Sequence, residues 1–250
     1  MTATFKAQWT RRMSFGSDDL DEGDMLAANC IDSGFRVVEN TLSLEESQGL
    51  LKTLDRSLVT RGRAGARHLM AVPEIARLAH DSRLLALARG ELCGNAVPFR
   101  ATLFEKSGKA NWLVVWHQDT ALPLKDRFEA PGWGPWSEKA GFLYAHAPAW
   151  ALSRVVALRV HLDASTRDNG PLRLVPHSDT LGVLTDEEIK SAVDQRGFEE
   201  CLVSRGGILV MRPLLIHSSS KVLTDAPRRV LHFENSDSLM LAPSIELAVA

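Results

Sequence analysis

His117 and Asp119, in the stretch Val114-Val-Trp-His-Gln-Asp-Thr120, are two residues apart, and residues 112–116 before them are apolar, β-branched or aromatic. That texture predicts the end of a strand, where residues i and i+2 face the same way, roughly 6.5–7 Å apart. An imidazole and a carboxylate so placed can reach one ion from the same side. A third donor has to come from a distant strand, and Gly206-Gly-Ile-Leu-Val-Met-Arg-Pro-Leu-Leu-Ile-His217 is an apolar, strand-like run that closes on a histidine. Two histidines and one carboxylate, with coordination positions left open, form the facial triad used by non-haem Fe(II) oxygenases.

The elements that must position these residues are legible in outline. The 250 residues suffice for one large domain with a core of its own. Phe35-Arg-Val-Val38 predicts a first strand. Ser43-Leu-Glu-Glu46 is a capping box opening a helix with Leu50, Leu51, Leu54 and Leu58 on its apolar face. Arg61-Gly-Arg-Ala-Gly-Ala-Arg67 is basic and glycine-punctuated, hence a loop, without the residue order of a phosphate-binding loop. A second helix is predicted over 72–92, started by Pro73, with Ile75, Leu78, Leu84, Leu85 and Leu87 inward. From Ala96 the texture changes to short β-rich runs at 97–104, 112–117, 155–162, 172–175, 207–211 and 229–233. One helix interrupts them at 185–195, opened by the capping box Thr185-Asp-Glu-Glu188. Several short strands with turn signals between them point to a sandwich or barrel. The segment 121–149 is rich in Pro, Gly and Trp; it reads as a long loop and, following His117 and Asp119 directly, as a lid.

Composition narrows the function classes. With 45% apolar and 24% charged residues and a net charge of −2, neither a nucleic-acid backbone nor an anionic membrane is expected as partner. Cys30, Cys93 and Cys201 are far apart and form no CxxC, which suits a reducing compartment. No signal-peptide core and no apolar run of spanning length is present, so a cytoplasmic location is expected. The acidic run Ser17-Asp-Asp-Leu-Asp-Glu-Gly-Asp24 reads as a solvated arm.

Three segments together resemble the phytanoyl-CoA dioxygenase family of Fe(II)/2-oxoglutarate enzymes. They are Trp116-His-Gln-Asp119; Arg159-Val-His-Leu-Asp163 with Asn169-Gly-Pro-Leu-Arg-Leu-Val-Pro176; and Arg212-Pro-Leu-Leu-Ile-His217-Ser-Ser219 with Pro227-Arg-Arg229. The resemblance covers roughly 96–235 and implies a double-stranded β-helix, a mainly β, cupin-like jelly roll with flanking helices. On that reading 1–250 is one domain, in which a helical part, 1–95, packs on the barrel at 96–235. The resemblance implies His117, Asp119 and His217 as iron ligands and Arg228 as partner of the far carboxylate of 2-oxoglutarate, with O2 as the oxidant. Chemistry asks for such a cation independently, because a guanidinium pairs both oxygens of a carboxylate and stays charged. Ser219, two after His217, is a candidate hydroxyl donor to the same carboxylate. Arg229 faces the opposite way and is the competitor if the register slips by one.

Other residues of suitable type are read as bystanders. His161 and Asp163 form a second HxD that the resemblance places away from the metal. His146 is a lid or pocket residue, Trp112 and Trp116 belong to core or rim, and Trp133 and Trp136 sit in the lid. Lys106 and Lys125 are read as solvated. After Pro176 the family's Gly-Ser-His is His177-Ser-Asp179 here, which predicts an altered turn. The expected activity is hydroxylation of a small-molecule metabolite with release of succinate and CO2, by a monomer or homodimer. The competing readings are a non-redox cupin-like metal-binding barrel and a 2-oxoglutarate-independent metalloenzyme. Arg228 separates the first, since a barrel without the cosubstrate has no need of an internal cation, and succinate formation separates the second.

Overall fold

The computed structural model describes residues 31–57, 59–108 and 111–250. The acidic run at 17–24, Cys30 and Leu58 lie outside them. In chain order the elements are Phe35–Val38 (β1), Leu44–Arg56 (α1), Gly65–Ala66 (β2), Pro73–Ala79 (α2), Ser82–Leu92 (α3), Val97–Lys106 (β3), Val114–His117 (β4), Ala121–Leu124 (β5), Trp136–Lys139 (β6) and Phe142–His146 (β7). Then follow Ala149–Leu152 (α4), Val155–His161 (β8), Leu172–Leu174 (β9), Asp186–Arg196 (α5), Glu199–Cys201 (β10), Ile208–Met211 (β11), His217–Ser219 (β12), Arg228–Ser236 (β13), Met240–Ala242 (β14) and Ile245–Glu246 (β15).

Capping sets the helix boundaries. Ser43 and Thr185 each close a capping box, with Glu46 and Glu188, and Pro73 opens α2. The single helix expected over 72–92 is two helices. Asp81 is extended and its carboxylate accepts from Arg83 N, so a new helix starts where the old one would have continued.

Antiparallel pairing builds a six-stranded sheet, β1-β11-β8-β13-β3-β2, and a four-stranded sheet, β10-β9-β12-β4. Strand alternation gives the large sheet two different faces. Its outer face, with Leu103, Leu158, Val160, Leu231 and Phe233, packs on Leu51, Leu54, Ile75 and Leu84 of the helices. Burying a side chain of that size contributes ~1.5–3 kcal/mol, and this contact, rather than propensity, holds short helices in place. The inner face carries Thr102, Phe104 and Lys106 of β3 opposite His232, Val230 and Arg228 of β13, with Arg159 and His161 of β8 alongside. Leu209 and Met211 of this sheet pack on Leu172 and Leu174 of the smaller one, so the two sheets face each other across a shared interior.

The segment 121–149 is not a long irregular loop. It forms a three-stranded sheet, β5-β7-β6, whose Leu122, Leu124 and Ala145 pack with Phe99, Leu214 and Leu247. Trp133 and Trp136 meet Phe128 edge-on beside the same cluster.

β2 needs a glycine. Gly65 has φ +123°, and a Cβ there would lie 1.9 Å from the Leu103 carbonyl oxygen. Gly65→Ala is expected to lower the unfolding free energy by about 2 kcal/mol or more. The check is the denaturant midpoint at constant m-value. An unchanged midpoint would mean that the 59–68 segment is not docked on β3.

Candidate metal and cosubstrate site

β4 and β12 are neighbours, and their register sets His117 directly across from His217. The rings are 4.2 Å apart between centroids. Each Nδ1 bonds a carbonyl two residues back, His117 to Val115 O and His217 to Leu215 O, both at 2.9 Å. A carbonyl can only accept, so both Nδ1 atoms carry the proton and both Nε2 lone pairs are free. These Nε2 atoms converge on Asp119, at 3.8 Å from Oδ1 for His117 and 3.6 Å from Oδ2 for His217.

Asp119 lies just past the end of β4. Its N–H donates to Pro213 O, and Gln118 turns the other way to bond Gly182 O, Leu214 O and Leu184 N. The turn is therefore pinned on both sides. His117, Asp119 and His217 offer donor atoms all within 4.8 Å of one another, and they are the group of this kind found among the described residues. Burial holds the His217 imidazolium down to about 3, assisted by His117. Burial alone would push Asp119 up, but His217 and His117 outweigh it and hold the carboxyl well below the usual range.

The cluster opens into a cavity of about 90 Å³ whose lining includes Arg228, Lys106, Arg159, Ser219, Phe104 and Trp112. Arg228 is 4% exposed and pairs with no carboxylate among the described residues. Its Nε donates to Asn169 O at 3.3 Å, its Nη2 donates to Ser219 Oγ at 3.2 Å, and its Nη1 is buried without a partner. Burial and the neighbouring Arg159 push its guanidinium down to about 9. An unsatisfied buried donor costs ~1–3 kcal/mol, more when charged. Arg159 shares the condition: it reaches His232 Nδ1 at 3.1 Å, but its Nε is unpartnered. Arg229 faces away, donating to Asp163 at 2.7 and 3.0 Å.

Lys106 is not solvated. It is 2% exposed, and its Nζ donates to Ser219 Oγ at 2.7 Å and to Ser220 O at 2.6 Å. Burial, followed by Arg228 and Arg173, pushes its ammonium down to about 7. Ser219 also differs from the expectation. Its single hydroxyl proton goes to Gly170 O at 2.8 Å, so toward Lys106 and Arg228 it acts as acceptor and orients both cations. Gly170, at φ +70°, has no room for a side chain: a Cβ would lie 2.6 Å from Ser220 O.

The remaining sequence candidates sort by distance from this cavity. His161 is buried with both ring nitrogens unpartnered, and Asp163 is committed to Arg205 and Arg229, so the second HxD holds no metal cluster. His146 bonds Thr120 Oγ1. Trp112 lines the cavity, with Lys106 Nζ 5.3 Å from its ring centroid, whereas Trp116 packs against Phe198 and Arg173 elsewhere. Lys125 pairs with Glu246 at the surface. His177 stands at φ +59°, where the family's glycine is strain-free, and is tied to Asp32 O and Ser33 O ahead of β1. No residue of 121–149 lines the metal cavity.

The residues fit the groups the sequence implies. The donor set is two imidazoles and one carboxylate with open positions, which suits Fe(II) and also Mn, Co or Ni. The orphaned Nη1 of Arg228 calls for an anion. An antiparallel double sheet with this interior places the chain in the cupin-like class of non-haem iron, 2-oxoglutarate-dependent enzymes. The phytanoyl-CoA dioxygenase (PhyH) family profile matches residues 32–230, and the chain belongs to that family. The match reaches back over the helices, well ahead of residue 96.

Solved structures agree on the fold. EctD from S. alaskensis, with 2-oxoglutarate and 5-hydroxyectoine, is 19% identical with TM-score 0.63, covering 89% of this chain and 78% of that one. The epimerase SnoN, with Fe3+, alpha ketoglutarate and nogalamycin RO, is 18% identical with TM-score 0.63, covering 86% and 84%. HygX from Streptomyces hygroscopicus, with nickel, 2-oxoglutarate and hygromycin B, is 20% identical with TM-score 0.60, covering 87% of both chains. No curated protein matches the sequence. No helix among the described residues is long and apolar enough to cross a membrane.

Proposed function

We propose that the chain is an Fe(II)- and 2-oxoglutarate-dependent dioxygenase that hydroxylates a small-molecule metabolite. The observation that carries this reading is the buried, carboxylate-free Arg228, which opens into the same cavity as the His117, Asp119 and His217 donors. Those three hold the iron, and Arg228 with Lys106 takes the far carboxylate of 2-oxoglutarate. Bound iron supplies the reaction of 2-oxoglutarate with O2 that yields succinate and CO2 and leaves one oxygen atom on a substrate carbon.

The chain's own residues prepare that reaction. The Nδ1 bonds fix both imidazoles before metal arrives, so little orientational freedom remains to be lost. Ser219 keeps both cations aimed into the cavity. Phe104, Leu172 and Trp112 give the cavity an apolar wall, and low-dielectric surroundings of that kind strengthen the charge interactions beside them. The deciding experiment reconstitutes the protein anaerobically with Fe(II) and 2-oxoglutarate, admits O2 and measures succinate. Stoichiometric metal binding without succinate would favour the non-redox barrel.

Lys106 adds a pH dependence. Its ammonium is present below about pH 7 and is lost as pH rises through that value, so the anchor is strongest on the acid side. The apparent KM for 2-oxoglutarate is expected to rise between pH 6 and 8. In Lys106→Met it should be about tenfold higher at pH 6, from the loss of one charge-assisted hydrogen bond worth ~1.5–3 kcal/mol, and flat with pH. A Lys106→Met profile that overlays the wild type would remove Lys106 from the anchor.

A further inference from the structure

The basic segment at 61–67 has no part in the metal site, yet it walls a second cavity. This one measures about 510 Å³ and adjoins the metal cavity, the two sharing Ala64 and Phe104. Its walls come from residues 59–68, from Thr102 to Phe104 on β3, and from Ala140 at the β6–β7 turn. No aspartate or glutamate lines it, whereas Arg63, Arg67 and His68 do.

The arginines around it divide into two kinds. Arg61 lies within ion-pair reach of Asp55 and Glu105. Arg63 and Arg67 have no carboxylate partner among the described residues, although Arg100 of β3 and Arg229 of the adjacent β13 do. The positive field of Arg67, with that of Arg100, is felt locally. Burial, then Arg100 and Arg67, hold His68 below its ordinary value, and burial, then Arg67 and Arg100, lower Lys139.

His68 is fixed there at a cost. It sits at φ +60°, a conformation that L-residues avoid. A 3.0 Å bond between its Nε2 and the Tyr144 hydroxyl and a 4.2 Å ring contact with Phe142 hold it in place. Strained backbone of this kind persists where surrounding contacts over-determine it, and it clusters at ligand-binding positions. Gly65 is the second built feature, since it alone allows this wall to close on β3. Between the cations the cavity is apolar, lined by Val59, Ala66, Leu103 and Phe104.

We infer that this cavity is the substrate compartment, and that it selects an organic anion whose carboxylate or phosphate pairs with Arg63 and Arg67 while its apolar body points past Phe104 toward the metal. The inference rests on the proposed oxygenase reading for its reaction but not for its binding chemistry. A guanidinium pair matches the geometry of either anion bidentately, and an acid-free lining sets no repulsion against it. A neutral ligand of the same size would gain no ion pair from either guanidinium, which makes the site selective for charge.

The test is direct binding to protein loaded with Zn(II) and saturated with 2-oxoglutarate, so that the metal and Arg228 are already occupied. The probes are phenyl phosphate, benzoate and neutral benzyl alcohol, followed by ligand-observed NMR titration. At least one anion is expected to bind ten times more tightly than benzyl alcohol, and which one binds tighter tells phosphate from carboxylate. Arg63→Gln/Arg67→Gln should weaken that anion at least tenfold, and Arg61→Gln should leave it unchanged. Both variants alter exposed side chains, so folding is preserved. No anion binding at 10 mM, on the order of the millimolar range of weak complexes, would overturn the inference. So would equal binding by the double variant, or equal binding of benzyl alcohol. Succinate release by the wild-type protein is read separately. If it is absent while anion binding depends on Arg63 and Arg67, the oxygenase reading falls and the anion site stands.

Discussion

His217→Ala is expected to abolish succinate release and to reduce iron from one ion per chain to less than a tenth of that. The reason is geometric. His217 and His117 face each other across β12 and β4 with their Nε2 atoms aimed at Asp119, so removing one leaves two donors on a single short turn. Burial keeps His217 neutral at any working pH, so the wild-type ligand is always available. The control is His161→Ala, in the second HxD. His161 is equally buried, but its companion Asp163 is held by Arg205 and Arg229, so iron content should stay at the wild-type level. Iron content by mass spectrometry and turnover are compared at matched secondary structure. If His217→Ala retains wild-type iron and activity, or His161→Ala loses them, the triad is misassigned.

Much of this site was legible because its signals are local or periodic. The HxD and the closing histidine sit at the ends of apolar runs; strand alternation puts Arg228 and Arg229 on opposite faces, and the family resemblance picks Arg228 as the inward one, as the structure has it. Lys106 was not legible. It ends a strand at Glu105-Lys106-Ser107-Gly108, a polar sequence that reads as solvent-facing. Its burial depends on Ser219 and Ser220, more than a hundred residues away, and on a bare Gly170 beside it. The role of Ser219 was missed for a related reason: which way a hydroxyl donates is fixed by Gly170 O, which no spacing reveals.

The 121–149 segment shows how punctuation can mask a strand. Gly132, Gly134 and Pro135 punctuate it, yet just after them Trp136–Lys139 and Phe142–His146 form a tight hairpin. The turn is Ala140-Gly141, with both residues at positive φ. Two-residue hairpin turns are recognised from Asn-Gly or Asp-Gly, and Ala-Gly carries a weaker signal. Asp81 was the opposite case, a cap residue in plain view inside a helix-like pattern.

The two arginines of Pro227-Arg-Arg-Val230 make opposite forecasts. β13 pairs Arg228 with Lys106 and Arg229 with Glu105, and adjacent residues on a strand face opposite sides of the sheet. Arg228 therefore enters the cavity, where it is 4% exposed and lacks an anion, while Arg229 forks onto Asp163 outside it. Arg228→Ala would leave the far carboxylate of 2-oxoglutarate without its principal partner. Breaking a buried pair in this way costs about 3–5 kcal/mol, so the KM for 2-oxoglutarate should rise at least a hundredfold, roughly 1.4 kcal/mol being a factor of ten. Iron content should barely change, because Arg228 touches none of the three donors. Arg229→Ala should leave that KM within about twofold and instead lower stability, because Asp163 is 4% exposed and loses one of its two cations. Succinate release titrated against 2-oxoglutarate gives the first number and a denaturant midpoint the second. A KM effect confined to Arg229→Ala would mean that the register in solution is shifted by one residue. A KM unchanged in both variants would mean that this barrel does not hold 2-oxoglutarate through β13, and the proposed activity would fall with it.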